Sequence, residues 1–147
     1  MRVRRFSPLF PALAVGLVIA VGFAGASPLA AATYRVTHLS DTSILGGCSF
    51  REAVRLHNEP VVKSSHCGVP DKLADTIEFA PTLRGVLYLD SRLGEIVLRS
   101  PALKIAGPGR TNVAIDGGGA MSVLVLDRDL PPVLTLSGLT IRNGKGR

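Results

Sequence analysis

Short β-rich runs and a repeated turn pattern predict an all-β protein built as a solenoid of stacked parallel strands. Runs of three or four β-forming residues recur through the second half of the chain, separated by Gly, Pro, Asn and Asp. Three of them share one form: an aliphatic residue, any residue, Ile, any residue, and then Gly or Asn with another Gly close behind. The runs lie at 76–79, 86–89, 96–98, 103–106, 113–116, 123–126, 133–136 and 139–142.

The repeated form favours a parallel β-helix over a β-sandwich. In stacked coils the aliphatic side chains point inward and contact their equivalents in neighbouring coils, while Gly and Asn occupy the tight corners. A sandwich would show two-residue hairpin signals between adjacent strands, and Asn143-Gly144 is the only Asn-Gly dipeptide. At about 20 to 25 residues per coil, the runs correspond to roughly three coils.

Composition and charge narrow the class of protein. The 147 residues are rich in Leu, Val and Ile and contain 16 Gly and 10 Pro but no Trp, which argues against a disordered chain and against a long helical bundle. The net charge is +6, and removal of Arg2, Arg4 and Arg5 with an export signal leaves +3. The remaining basic residues are scattered and lack interleaved aromatics, so we expect no nucleic-acid binding.

The N-terminus has the three parts of a secretory signal peptide. Residues 2–5 contain the basic group, residues 9–23 are largely apolar, and small residues suitable for cleavage end at Ala26 and at Ala32. We expect cleavage after Ala32, before a half-buried strand at 33–39, which leaves 115 residues. The alternative is an uncleaved anchor, although 10–26 is at the short end for a bilayer span. Beyond this signal we expect no membrane association.

A short capped helix follows the first strand. Ser49 and Glu52 have the spacing of a capping box, in which the hydroxyl accepts from a backbone amide and the carboxylate reaches back. Asn58 allows a left-handed exit, and Pro60 prevents continuation of the helix. One apolar face is formed by Phe50, Ala53, Val54 and His57. We therefore expect the helix to cover an apolar surface, and His57 to be packed rather than catalytic.

The two cysteines of the exported part predict a disulfide. Cys48 and Cys67 form an even pair, and export places them in an oxidising compartment. A shared metal site with His38, His57 and His66 is the alternative, but their spacing matches no zinc pattern. We expect no metal and no other cofactor.

The residues around the helix resemble a known family, the CSLREA-domain proteins. Residues 48–53 read CSFREA, with Phe50 where the family usually has Leu. The acidic-Thr-Ile-x-Phe strand at 75–79, the segment 105–109 and the segment 136–144 are also similar to that family. His57 departs from the Ala that usually precedes Asn58. The resemblance covers residues 34–144, which is nearly all of the chain after the export signal.

The resemblance implies an exported bacterial protein with a right-handed parallel β-helix whose N-terminal helix caps the first coil. Together with the residue patterns above, it predicts a signal peptide at 1–32, a strand, capping helix and disulfide loop at 33–74, and the first coils of the β-helix at 75–147. Family members are usually several hundred residues long, so we expect this chain to be a truncated fragment. A mini-solenoid, or one completed by a partner, is the alternative.

Candidate catalytic residues are few. Parallel β-helices include polysaccharide lyases and hydrolases that cluster carboxylates on one outer sheet, and Asp116, Asp127 and Asp129 are weak candidates for such a role. Asp90 is a further carboxylate, and the cationic neighbours would be Lys104, Arg128 and Arg142. The aspartates also fit ordinary turns, and the Gly-rich stretches at 107–110 and 117–119 lack the features of a nucleotide-binding loop. We therefore expect no catalytic residue.

The sequence favours a structural or adhesive protein of the cell surface or the extracellular space. We expect surface glycans or proteins as partners, together with self-association through an open C-terminal coil. The alternative is the N-terminal part of a β-helix carbohydrate-active enzyme, whose carboxylates should meet on one outer face. A non-functional gene remnant is the third hypothesis.

Overall fold

The computed structural model describes residues 32–42, 44, 46–59, 66–67, 74–99, 102–127 and 133–146. The predicted signal peptide lies outside these residues except for Ala32. Asp129 and its neighbour Arg128 lie outside them as well. Among the described residues, no helix is long and apolar enough to cross a membrane.

Most of the described chain is extended, with one α-helix. The helix, α1, spans Phe50–Asn58, and a single 3-10 turn spans Ser91–Leu93. The strands are β1 (Ala32–Val36), β2 (Ala74–Phe79), β3 (Gly85–Tyr88), β4 (Val97–Leu98), β5 (Ala102–Ala106), β6 (Val113–Asp116), β7 (Val125–Leu126), β8 (Val133–Ser137) and β9 (Thr140–Arg142). The observed strands follow the predicted runs closely, although β7 covers only the second half of the run at 123–126 and β1 ends at Val36, three residues before the predicted end at 39.

The strands form parallel sheets, which confirms the all-β class. Sheet A has the order β1-β2-β5-β8, sheet B has β3-β6-β9, and sheet C has β4-β7. Every strand pair within the described residues is parallel. From β2 onward the chain visits sheets A, B and C in that order, returns to A, B and C, and then returns to A and B, while β1 adds a further strand to sheet A.

The register repeats at a constant interval between the first two passes. Thr76 pairs with Lys104, Val86 with Ala114, and Val97 with Val125, so partners in all three sheets are 28 positions apart. The expected 20 to 25 residues per pass is therefore wrong. The interval to the following pass differs between sheets, with Ala102 pairing with Val133 and Ala114 with Thr140, so the connections vary in length.

Aliphatic side chains of paired strands line the core in rows. In sheet A the row is Ile77, Ile105 and Leu136, and the first two are fully buried while Leu136 is 39 % exposed. In sheet B, Leu87 and Ile115 are likewise buried and Ile141 is 40 % exposed. The core is therefore sealed beside β2 and β3, and its apolar side chains are accessible beside β8 and β9.

Helix α1 seals the core at the end opposite β8 and β9. Its N-cap is Ser49, whose hydroxyl accepts a hydrogen bond from the Glu52 amide at 3.1 Å. All four residues expected on the apolar face are buried, and Leu56 is buried with them. The Phe50 ring lies 5.5 Å from the Phe79 ring, centroid to centroid, and so packs the helix onto the end of β2. His57 is fully buried, as expected of a packed residue.

Candidate functional site

The cysteines of the CSFREA segment and of the following loop form the predicted disulfide. Cys48 and Cys67 are bonded, with their Cα atoms 4.6 Å apart. Cys48 is fully buried and directly precedes the Ser49 cap. The bond therefore ties Cys67 to the segment that directly precedes α1, and these two thiols are not available as nucleophiles or metal ligands.

Arg51 of the same segment joins the helix to two other parts of the chain. Its Nε and Nη2 donate to the Asp41 carboxylate at 3.0 and 2.8 Å, which is a bidentate ion pair. Its Nη1 donates to the backbone carbonyls of Leu93 and Gly94. The Asp41 carboxylate also accepts from the Asp90 amide at 2.9 Å. The guanidinium is therefore part of the structure that holds the cap in place.

Asn58, the last residue of α1, extends the edge of sheet C. Its Nδ2 donates to the Val97 carbonyl at 2.7 Å, and its Oδ1 accepts from the Arg99 amide at 2.9 Å. The side-chain amide thus supplies the hydrogen bonds that a neighbouring strand would make with β4. A shallow cleft of about 200 Å³ beside it is lined by Arg51, Val54, Arg55, Asn58, Glu59, Val97 and Arg99.

Asp116, the first of the weak catalytic candidates, is a buried acceptor at the end of β6. It is only 4 % exposed. Its Oδ1 accepts from the Gly118 amide at 2.9 Å, and its Oδ2 accepts from Arg142 Nε at 2.8 Å and Asn143 Nδ2 at 2.9 Å. The carboxylate thus joins the turn after β6 to the end of β9, which is the role of a turn residue.

The same donors favour the ionised form of the Asp116 carboxyl group. The Gly118 amide, followed by the Arg142 and Asn143 side chains, lowers the pKa of the Asp116 carboxyl below its ordinary value, although desolvation opposes the shift. A general acid needs a raised pKa near the working pH. Asp116 is instead held as a carboxylate whose hydrogen bonds are made with the turn after β6 and with the end of β9.

The other carboxylates are not assembled around Asp116. Asp127 follows β7 of sheet C, where its amide donates to the Leu98 carbonyl, so it lies on a different sheet from Asp116. Asp129 lies outside the described residues. Asp90 is paired with Arg92, whose side-chain hydrogen bond lowers the Asp90 pKa to about 2. No group of three or more His, Cys, Asp or Glu suited to a metal ion occurs among the residues described.

One surface feature was not predicted from the sequence, namely a basic cleft of about 350 Å³ on the outer face of sheet B. Its strand floor is Val86, Ala114 and Thr140, which are partners across β3, β6 and β9. Its remaining lining includes three arginines, namely Arg84, Arg110 and Arg142. The arginines are far apart in the chain and form no run of charges. The sequence did contain one indication of them, because Arg84 and Arg110 each come shortly before a run that was predicted to stack, at 86–89 and at 113–116.

Lys104, a further cationic candidate, is exposed on β5 of sheet A, between Thr76 and Thr135 in the register. It therefore lies on a different sheet from Asp116.

Comparisons with protein-family models, with curated proteins and with solved structures returned no match. The function is therefore inferred from the geometry of this chain.

Proposed function

We propose that this protein is an exported structural or adhesive protein whose three sheets are the walls of a right-handed parallel β-helix. The observation that supports the proposal best is the parallel register of the first two passes, in which residues 28 positions apart pair in sheets A, B and C. Regular stacking of this kind produces a rigid rod with flat outer faces, which suits the presentation of a surface to a partner.

The N-terminal cap is consistent with this proposal and with the resemblance to CSLREA-domain proteins. An open β-helix end exposes apolar side chains and unpaired strand edges, and both invite aggregation. Here α1 covers the apolar end, and Asn58 occupies the edge of β4. The CSFREA residues Cys48, Ser49 and Arg51 all hold this cap together. The segment accordingly accounts for architecture rather than for chemistry.

A carbohydrate-active enzyme is the alternative, and the environment of Asp116 counts against it. Hydrolysis by paired carboxylates needs a second carboxyl group within about 5 to 9.5 Å, with one member kept protonated. The Asp116 carboxylate is buried, accepts three hydrogen bonds and has a lowered pKa. Asp127 lies on another sheet. We therefore place the function in binding by the outer faces.

The first experiment tests export. The full chain is produced in a bacterial host, and the mass of the exported form is measured by intact mass spectrometry. We expect export with cleavage after Ala32. Retention of the full chain in the cytoplasm would contradict an extracellular role.

The second experiment separates binding from catalysis. The exported protein is incubated with a panel of neutral and acidic polysaccharides, and both the bound protein and new reducing or unsaturated chain ends are measured. We expect bound protein without new ends, and the same result from Asp116→Asn. New ends that disappear in Asp116→Asn would establish the enzyme alternative instead.

A further inference from the structure

We propose that the basic cleft on the outer face of sheet B binds an acidic polysaccharide, with guanidinium groups recognising the carboxylates of uronate residues. This inference rests on the proposed adhesive function and names its partner. It uses residues that neither the cap nor the Asp116 turn requires, namely Arg84, Arg110 and Tyr88.

The floor of the cleft is a flat strip formed by strand pairing. Val86, Ala114 and Thr140 are successive partners in the parallel register and lie on the same face of sheet B. Their neighbours Leu87 and Ile115 point to the opposite face and are fully buried. Because the floor side chains are small, an extended polymer can approach the sheet closely along the direction in which the strands stack.

The charge of the cleft is positive and is only partly neutralised. No carboxylate of a described residue lines it, whereas Arg84, Arg110 and Arg142 do. Arg142 is paired with Asp116, so two guanidinium groups are in excess. Within the described part of the chain, Arg84 donates only to the carbonyls of Pro81 and Leu83, and the Arg110 side chain has no hydrogen bond or ion pair. Guanidinium groups with free donors bind carboxylates in bidentate geometry.

Tyr88 adds the contact that a sugar ring prefers. It is 64 % exposed and lies on β3 two residues beyond Val86, on the same outer face as the cleft. In the register it pairs with Asp116, whose partner Arg142 lines the cleft. An exposed aromatic ring on the same face as the guanidinium groups offers an apolar surface to a sugar face, while the guanidinium groups donate to the acidic groups.

The outer face of sheet A and the cleft beside α1 lack this combination. On sheet A, Arg35 pairs with Glu78 at 3.4 Å, and the remaining outer cation on paired strands is Lys104. The cleft beside α1 includes the Glu59 carboxylate, and its Arg51 is engaged by Asp41.

Nucleic acids also attract arginine, but the face is poorly suited to them. Base stacking requires several aromatic side chains along a basic groove. On the strands of sheet B, all of which are described, Tyr88 is the aromatic residue. A uronate polymer fits the cleft better.

The test is binding of the exported protein to an oligogalacturonate, with its methyl ester as the neutral control of the same backbone. Affinities are measured by calorimetry at low ionic strength and at about 0.15 M salt, where screening weakens exposed charge pairs. We expect binding of the acid form, weaker binding in salt, and no binding of the ester. Equal binding of the ester, or tighter binding of a single-stranded oligodeoxynucleotide, would overturn the assignment.

Variants locate the site. Arg110→Gln removes a guanidinium group that makes no hydrogen bond or ion pair with any described residue. We expect the double variant Arg84→Gln with Arg110→Gln to bind about tenfold more weakly, because charge-assisted hydrogen bonds to the ligand are lost. Tyr88→Ala should weaken binding about fivefold. Arg99→Gln, at an exposed position beside α1, is the matched control and should bind like the parent protein. An equal loss in Arg99→Gln would assign binding to net charge and refute the cleft.

The proposal and the proposed function fail in different ways. If the protein is retained by other surface polymers without cleaving them but ignores oligogalacturonate, only the cleft assignment is wrong. If it shortens the oligogalacturonate, the adhesive function itself is wrong. Each variant is accompanied by a thermal melt, so that loss of binding is scored only in folded protein.

Discussion

Arg51 and Asp41 form a bidentate ion pair between α1 and the loop before it, with N to O distances of 3.0 and 2.8 Å. The Asp41 side chain is 3 % exposed and that of Arg51 is 20 % exposed, so water screens the pair only weakly. Because Arg51 also donates to Leu93 and Gly94, one side chain links the cap to the segment between β3 and β4.

Replacement of Arg51 should therefore destabilise the whole cap. We expect Arg51→Ala to lower the free energy of unfolding by about 3 kcal/mol, because it leaves a buried carboxylate without its cation. Arg55→Ala, at an exposed position on the same helix, should change it by about 0.5 kcal/mol or less. Urea denaturation measures both values. Equal effects of the two substitutions would show that the ion pair does not hold the cap.

Asn58 should protect one backbone amide at the edge of sheet C. Asn58→Ala removes the acceptor of the Arg99 amide and the donor to Val97, so we expect faster hydrogen exchange at Arg99 and a loss of about 1 to 3 kcal/mol. Asn58→Asp keeps the acceptor and should preserve more of the protection. The Val125 amide, which bonds to Ile96 on the opposite edge of β4, is the internal control. Unchanged exchange at Arg99 in Asn58→Ala would contradict the edge role.

The lowered pKa of Asp116 predicts a defined loss of stability in acid. A carboxyl group whose pKa is lower in the folded than in the unfolded state stabilises the fold above its unfolded value of about 3.9. This contribution is lost as the pH falls through the folded pKa. Thermal melts of the parent protein and Asp116→Asn should therefore differ most near neutral pH, where the neutral amide of the variant cannot replace the ion pair with Arg142. The melts should converge as the pH falls through the folded pKa of Asp116, and a difference that stays constant from neutral to acid pH would be inconsistent with the prediction.

The disulfide should contribute substantially to stability because it closes a loop with a sequence separation of 19. Cross-linking a loop of this length restricts the unfolded chain, and removal should cost about 3 kcal/mol. We expect the double variant Cys48→Ala with Cys67→Ala to melt at a lower temperature. The melting temperature of the parent protein should fall similarly in a reducing agent, whereas that of the variant should not respond. A variant as stable as the parent protein would disprove the contribution.

Gly107 is required where β5 and β8 end side by side. A Cβ atom at Gly107 would overlap the backbone carbonyl of Gly138, which itself has a φ of +65°. We expect Gly107→Ala to cost about 2 to 3 kcal/mol, since backbone atoms cannot move aside as a side chain can. Gly146→Ala, with no atom within 4 Å of the added Cβ, is the control and should be nearly neutral. Calorimetric melts compare the two, and similar melting temperatures would refute the steric requirement.

The sequence predicted those features that depend on neighbouring residues. The N-cap follows from a hydroxyl three positions before the Glu52 amide, and the buried face of α1 follows from helical spacing. The strands follow from short β-rich runs between turn residues. The disulfide was predictable because only two cysteines are present in the chain. Each of these is set by local backbone geometry or by elimination, and none needs knowledge of the register.

Pairing between strands determined the contacts between residues that are distant in the chain. Whether Asp116 is a turn residue or a catalytic acid depends on Arg142 and Asn143, which reach it only because β6 pairs with β9. Asn58 meets β4 across a long stretch of chain, and the arginines of the cleft come from three separate segments: before β3, before β6 and in β9. By itself, then, the sequence determined a capped all-β chain with a disulfide. The tertiary structure alone determined which distant side chains meet, because the register depends on the lengths of connections that carry no periodic pattern.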